Sequence, residues 1–248
     1  MNITKIVTAI CFLFFSLAGC KKDNITGNQG GVTVNTDGSV DFSDADGVLY
    51  AIQIRNYQNY NGSVYSASQV VNAWFGESTA STDAGIVKAN SKVLNNISNF
   101  YNSTFFLNAG DTIFTESSPG IVWNVQGNTA TGVPAFIHTD ASPFPAGPEF
   151  TLPASININN SLTVNHSATT GNIGVIYTLS GSRGDTTKFI ANGSSSITFS
   201  SNEIKAVSIS NDYIGLSVTV VNYTTASYNG KKYYFVKQQQ YTRDSITQ

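Results

Sequence analysis

The sequence predicts an all-β protein built as two β-sandwich modules in tandem. Three observations carry that expectation. Apolar residues alternate with polar ones at a period of two, no long stretch keeps the 3.6-residue period of a helix, and four prolines, Pro143, Pro145, Pro148 and Pro153, crowd one stretch that divides the chain. Proline resists pairing within a sheet and favours extended chain, so 143–153 reads as a semi-rigid linker between modules at 32–142 and 154–248.

In the first module, "VTVNTDGSVDF" predicts a hairpin whose Asp37-Gly38 turn suits the positive φ of a tight connection. "GVLYAIQIRNY" sets Val48, Tyr50, Ile52 and Ile54 on one face and Leu49, Ala51, Gln53 and Arg55 on the other, a half-buried strand. Further strands are predicted at 70–75, 86–90, 103–107, 112–115, 120–125 and 133–138, with "NAGDT" and "QGNTATG" as turns. Residues 66–75 also admit a short helix. In the second module, strands are predicted near 149–158, 161–166, 173–180, 187–191, 196–200, 214–224 and 232–241, with a helical turn at 201–206. An Asn229-Gly230 turn closes the last hairpin. Alternating strands at this spacing in about 100 residues resemble an immunoglobulin-like or fibronectin type III-like sandwich in pattern and size. The buried disulfide of antibody domains is excluded, because the only cysteines are Cys11 and Cys20.

Composition narrows the chemistry. Charged residues are 11% of the chain, against roughly 25% in typical domains, and Asn, Ser, Thr and Gly fill the polar positions. A net charge of -2 offers no basic field for nucleic acid.

The beginning of the chain says where it resides. One lysine precedes an apolar run from Ile6 to Leu17, too short for a membrane span of about 20 residues but suited to the core of a signal peptide. Leu17-Ala18-Gly19-Cys20 follows, and this order resembles the lipobox of bacterial lipoproteins, with a "CKKD" start like that of Bacteroidota-type members. The resemblance implies a signal peptide at 1–19, removed before Cys20, and fatty acyl (palmitate-type) attachment to Cys20. Stable anchoring takes two acyl signals, which a lipoprotein supplies. It further implies an outer-membrane lipoprotein of the cell envelope, facing either the periplasm or the cell surface. Cys11 leaves with the leader, so the mature body has no free thiol and no disulfide. Residues 20–31, "CKKDNITGNQGG", read as the lipidated cysteine and a flexible tether.

Candidate sites are few. Asp41, Asp44 and Asp46 invite a calcium reading, because hard cations want several carboxylate oxygens. Phe42 and Gln53 stand where an EF-hand needs acids, leaving a site between strands or a plain polar turn. Arg183-Gly184-Asp185 resembles the integrin-binding tripeptide of adhesion modules and falls in an expected loop; a simple turn is the alternative. Tyr57 and Tyr60 lie in a polar stretch among Asn and Gln, where aromatic rings and amides suit a glycan; Trp74 and Trp123 sit in apolar strands and read as core. His138 and His166 lack metal-ligand spacing. No nucleophile elbow or phosphate loop is present, and no carboxylate pair is marked, so no catalytic residue, metal or cofactor is assigned. Asp111-Thr112-Ile113, Asp185-Thr186-Thr187 and Asp244-Ser245-Ile246 resemble the O-glycosylation triplet of exported Bacteroidota proteins.

The function expected from these features is non-catalytic. It is a lipid-anchored envelope protein that binds or displays, with a glycan, an envelope protein or a host surface as partner. A structural subunit that polymerises through edge strands, for which 48–55 and 214–224 are candidates if they lie at an edge, is the alternative. An accessory enzyme is the third reading.

Overall fold

The computed structural model describes residues 24–29, 32–35, 40–57, 64–77, 80–106, 112–114, 120–147, 149–167, 173–190 and 195–248. Cys20, Tyr60 and the Asp37-Gly38 turn therefore lie outside the described residues. Within them the chain is all-β with one short helix.

The hairpin at the end of the chain is the spine. Strands β18 (Tyr213–Tyr228) and β19 (Lys231–Thr247) pair antiparallel along their whole length, closed by Asn229 and Gly230 at φ 51° and 76°. That is the turn the Asn-Gly sequence predicts. Both strands outrun the predicted spans, because the polar stretches 224–228 and 242–247 continue the pairing without an apolar alternation to announce it.

β19 then pairs in parallel with β4 (Gly47–Tyr57), from Tyr233↔Gly47 to Arg243↔Tyr57. β4 pairs with β5 (Val64–Glu77), so 66–75 is strand, not helix. β6 (Ala80–Ser81) adds to the far end of β5. Beyond β5 come β10 (Phe100–Phe106) and β9 (Asn95–Ile97). On the other side, β18 pairs with β15 (Val175–Gly181), and β15 with β16 (Gly184–Ile190). β13 (Ser155–Ile156) runs parallel to the end of β19. The result is one ten-stranded sheet ordered β16-β15-β18-β19-β4-β5-β10-β9, with β13 and β6 alongside.

Two sandwiches in tandem would each close their own sheets. Here strands from both sides of the proline-rich stretch hydrogen-bond into the same sheet, so 143–153 does not separate two sheets. Alternation fixes which face a residue takes, but it does not say which strand lies beside which. A parallel pair needs a long crossover, and here the crossover is most of the chain.

Three lids cover this sheet. On the front face, β7 (Val87–Ala89), β8 (Lys92–Val93), β11 (Ile121–Val125) and β12 (Phe136–Asp140) form a four-stranded sheet. Trp123, Ile121, Val125 and Phe136 pack from it onto Leu49, Val71, Phe75, Tyr233 and Phe235. Trp123 is core, as the sequence predicts, at 1% exposure. Lower on the same face, β14 (Leu162–Asn165), β17 (Ser196–Phe199) and helix α1 (Ser201–Val207) bury Val164, Phe199, Ile204 and Val207 against Tyr177, Leu216 and Val218. The helix falls where the sequence predicts a helical turn. A capping box starts it, Ser200 accepting from the Glu203 amide and Glu203 accepting from the Ser200 amide.

On the back face, β1 (Asn24–Gln29), β2 (Val32–Asn35) and β3 (Val40–Phe42) set Val32, Val34 and Phe42 on Val48, Tyr50, Tyr234 and Val236. The predicted tether is thus shorter than 20–31, because β1 pairs with β2. The run Tyr233-Tyr234-Phe235-Val236 is apolar without alternation because both faces are covered there. Gly47 stands opposite Tyr233, and a Cβ there would lie 2.9 Å from the Tyr233 ring.

Between the two front lids the sheet face turns polar yet stays buried. Gln69, Gln53 and Gln239 form a cross-strand row at 1%, 6% and 7% exposure, with Lys237 beside it at 1%. Gln69 donates to the Phe114 carbonyl at 2.6 Å and accepts from the Ile113 amide at 2.9 Å. The proline-rich stretch, expected as a linker, is a strap across this row. Lys237 donates to the Asp140 carbonyl at 3.0 Å and to the Ser142 carbonyl, and lies 3.5 Å from the Asp140 carboxylate. Phe144 stacks on Phe114 at 4.4 Å and lies under the Lys237 ammonium. Gly147 passes so close to Tyr241 that a Cβ there would sit 1.8 Å from its ring. Burial pulls the Lys237 ammonium below the usual lysine value, and Asp140 offsets part of that pull.

Two substitutions test this arrangement by urea denaturation. Lys237→Ala leaves the buried Asp140 carboxylate without a cation and with only its Ser142 hydrogen bonds, and a loss of about 3 kcal/mol is expected. Tyr233→Phe is expected to leave stability unchanged or raise it, because the Tyr233 hydroxyl is buried with no hydrogen-bond partner.

Candidate functional site

Two of the three aspartates do structural work. Asp44 receives the Lys232 ammonium at 2.6 Å and the Tyr234 hydroxyl at 2.6 Å, and Asp46 accepts from the Lys232 amide at 2.8 Å. They fasten the start of β19 to the turn before β4, while Asp41 faces solvent on β3. Hydrogen bonds, first from Lys232 and then from Tyr234, hold the Asp44 carboxyl below its usual value. Among the described residues, no group of three or more His, Cys, Asp or Glu side chains could hold a metal ion.

The Arg-Gly-Asp tripeptide is split between turn and strand. Arg183 ends the two-residue turn from β15 to β16, its amide donating to Val207 at 2.9 Å and its guanidinium to the Lys205 carbonyl at 3.3 Å. Gly184, at φ 137°, and exposed Asp185 open β16. The arginine thus bends onto the end of α1 while the aspartate stands in the strand. Of the glycosylation triplets, Thr112 is exposed, Thr186 is half-buried on β16, and Ser245 is buried with its hydroxyl on the Pro153 carbonyl at 2.7 Å.

His138 stacks on Phe235 at 3.6 Å and bonds the Tyr228 hydroxyl at 2.9 Å. It is half-buried. Burial holds its pKa below the usual value, with Asp140 opposing. His166 is buried too. Its Nδ1 faces the Ser167 carbonyl at 2.7 Å, so Nδ1 carries the proton and Nε2 accepts from the Tyr177 hydroxyl. Burial raises the Tyr177 phenol, which keeps it a donor. Both histidine nitrogens are thereby committed.

Tyr57 leads to a place where several polar groups converge. On the front face, the parallel register sets Tyr57 beside Arg243 and Arg55 beside Tyr241. The Tyr57 and Tyr241 rings stack at 5.8 Å and 8°. The Arg243 guanidinium lies 4.5 Å from the Tyr57 ring centre and 5.7 Å from that of Phe150, and Arg55 lies 6.0 Å from Tyr241. Among the described residues, the Arg243 guanidinium makes these ring contacts and no hydrogen bond. A shallow cleft of about 380 Å³ opens beside it, lined by Glu149, Phe150, Thr151, Asn165, His166 and Arg243. Glu149, Thr151 and Asn165 are exposed, while Phe150 and His166 form the buried floor.

Local structure holds these groups in place. The Phe150↔His166 bridge ties the end of the strap to the end of β14, reinforced by the Ser167 hydroxyl, which accepts from the Glu149 amide at 3.0 Å. Arg243 projects from the middle of a long paired strand. A guanidinium in contact with two rings can donate to a polyhydroxylated ligand, and the neighbouring amide, hydroxyl and carboxylate can accept from it. Tyr57 backs the arginine rather than offering a free ring face, so the contact runs through hydrogen bonds more than through stacking. The sequence singles out Tyr57 but not Arg243, Asn165, Thr151 or Phe150. A usable signal does exist: Lys237, Gln239, Tyr241 and Arg243 continue the core face of Tyr233 and Phe235 with polar ends.

No protein-family profile matches the chain, and no curated protein matches it.

The carboxylates yield a pH prediction. Asp44 and Asp83 are both held below their usual values, Asp83 first by the Tyr101 hydroxyl and then by the Gly85 amide and Asn128. A depressed folded value contributes stability that is present above the unfolded value of about 4 and lost as pH falls through the folded one. Thermal melts are expected to drop below about pH 4, and the Asp44→Asn, Asp83→Asn double variant to show a flatter dependence there.

Proposed function

We propose that the chain is a non-catalytic protein of the cell envelope, moored at Cys20 by lipid and binding a saccharide in the cleft beside Arg243. The observation that carries the binding role is the Arg243 guanidinium, held between Tyr57 and Phe150 with hydrogen-bonding groups around it. A shallow, open cleft suits an extended chain of sugars better than a small enclosed ligand. Its lining carries one carboxylate, Glu149, whereas hydrolysis of a glycosidic bond by the common route needs two facing each other. The body that presents the cleft is read as two sandwich-like halves sharing one sheet. The lipobox-like Leu17-Ala18-Gly19-Cys20 supports the anchor, on the outer membrane and facing either side of it.

The assembly reading has a narrower basis. β4 and β18 lie inside the sheet, so the strands at 48–55 and 214–224 offer no edge. β16 is the long edge strand that remains, and Asp185 and Lys188 along it discourage pairing with another chain.

Two measurements test the proposal. Cys20→Ser is expected to move the protein from the membrane to the soluble fraction, and unchanged membrane association would remove the anchor. A glycan array probed with the detergent-solubilised lipoprotein is expected to show saccharide binding that Arg243→Ala abolishes. Silence across the array would remove the binding role.

A further inference from the structure

The chain contains three arginines, Arg55, Arg183 and Arg243. Two of them, Arg55 and Arg243, stand as diagonal neighbours on the front face, each over a tyrosine of the adjacent strand. Such a concentration is notable in a chain where only 11% of residues are charged. Diagonal neighbours across paired strands lie within reach of long side chains. We infer that the cleft selects a saccharide carrying a carboxylate, a uronic-acid-type unit, over a neutral one. This inference rests on the saccharide reading above and adds the charge of the ligand to it.

The geometry favours a carboxylate for two reasons. A guanidinium presents a planar fork that pairs bidentately with a carboxylate, and such charge-assisted bonds are about twice as strong as neutral ones. Contact with Tyr57 and Phe150 orients the Arg243 plane before the ligand arrives, so less side-chain freedom is lost on binding. Glu149 also lines the cleft and limits how much negative charge it accepts. Its negative charge disfavours a densely charged polyanion. At the same time it accepts hydrogen bonds from sugar hydroxyls, as Asn165 and Thr151 also can. Other charged groups near this face are consistent with that balance. Asp244 follows Arg243 in an alternating strand and belongs to the back face, and Lys188 is paired with Glu203 at 2.9 Å.

The test uses isothermal titration of the detergent-solubilised protein with an oligosaccharide carrying a single uronic acid, its methyl ester, a neutral oligosaccharide of equal length, and a glutamate-rich peptide. Esterification removes the charge and keeps the sugar and its linkages. The acid is expected to bind about tenfold or more tightly than the ester. Its affinity is expected to fall as salt rises and to drop by a similar factor in Arg243→Lys, which keeps the charge but loses the fork. Circular dichroism of the variant confirms that it folds. Equal affinity for acid and ester, or binding to neutral sugars alone, overturns the inference and leaves the saccharide reading standing. Preference for the peptide, or no binding to any of the four, overturns both.

Discussion

The parallel contact between β19 and β4 is the constraint on which the rest of the structure depends. Without it, the chain would fall into two sheets of ordinary size on either side of a proline-rich connection. With it, the strands around β4 and those around β18 become one surface, and everything else is arranged as covering for that surface. Tyr233, opposite Gly47, shows how close the fit is. The aromatic ring occupies the space a side chain would have taken, and the backbone of β4 can approach only because that position has none.

The shared sheet explains why buried polarity appears where it does. Two lids on the same face leave a seam between them, and the seam cannot be closed with apolar residues alone, because a strap of irregular backbone runs over it. Irregular backbone has amides and carbonyls that need partners once water is excluded. Gln69 and Lys237 supply them, from positions that a simple alternation would have filled with valine or leucine. The cleft beside Arg243 is the lower, open end of the same strap, where it reaches β14 and the polar groups meet solvent.

Much of this was legible in the residues. Alternation in 47–57 and 213–221, the Asn229-Gly230 turn and the helix start at Ser200 all report local preferences, and local preferences survive into the fold. The partner of each strand was not legible, because the pairing of β19 with β4 is decided by packing among residues nearly the whole chain apart. The same limit hid the cleft. Glu149, Asn165 and Arg243 are unremarkable one by one, and only the sheet register brings Tyr57 to Arg243. The proposed anchor rests on the opposite kind of signal, since charge, apolar length, small residues and cysteine are contiguous in the sequence. Tyr57 was noticed as an aromatic residue in polar company, but its service as a backing for a cation depended on its neighbour across the sheet.

The contact between Asp46 and Lys232 spans 186 residues. A chain threaded through a membrane from its amino end delivers β4 long before β19 exists to flank it. Until then β4 and β5 present unsatisfied amides and an apolar surface to whatever lies nearby. Synthesis of this chain from its amino end therefore includes an interval of exposure, during which a holding chaperone has something to grip and a protease has something to cut. A product truncated before the final hairpin would have no sheet to hide in, and the cell could recognise it as unfinished without reading its sequence.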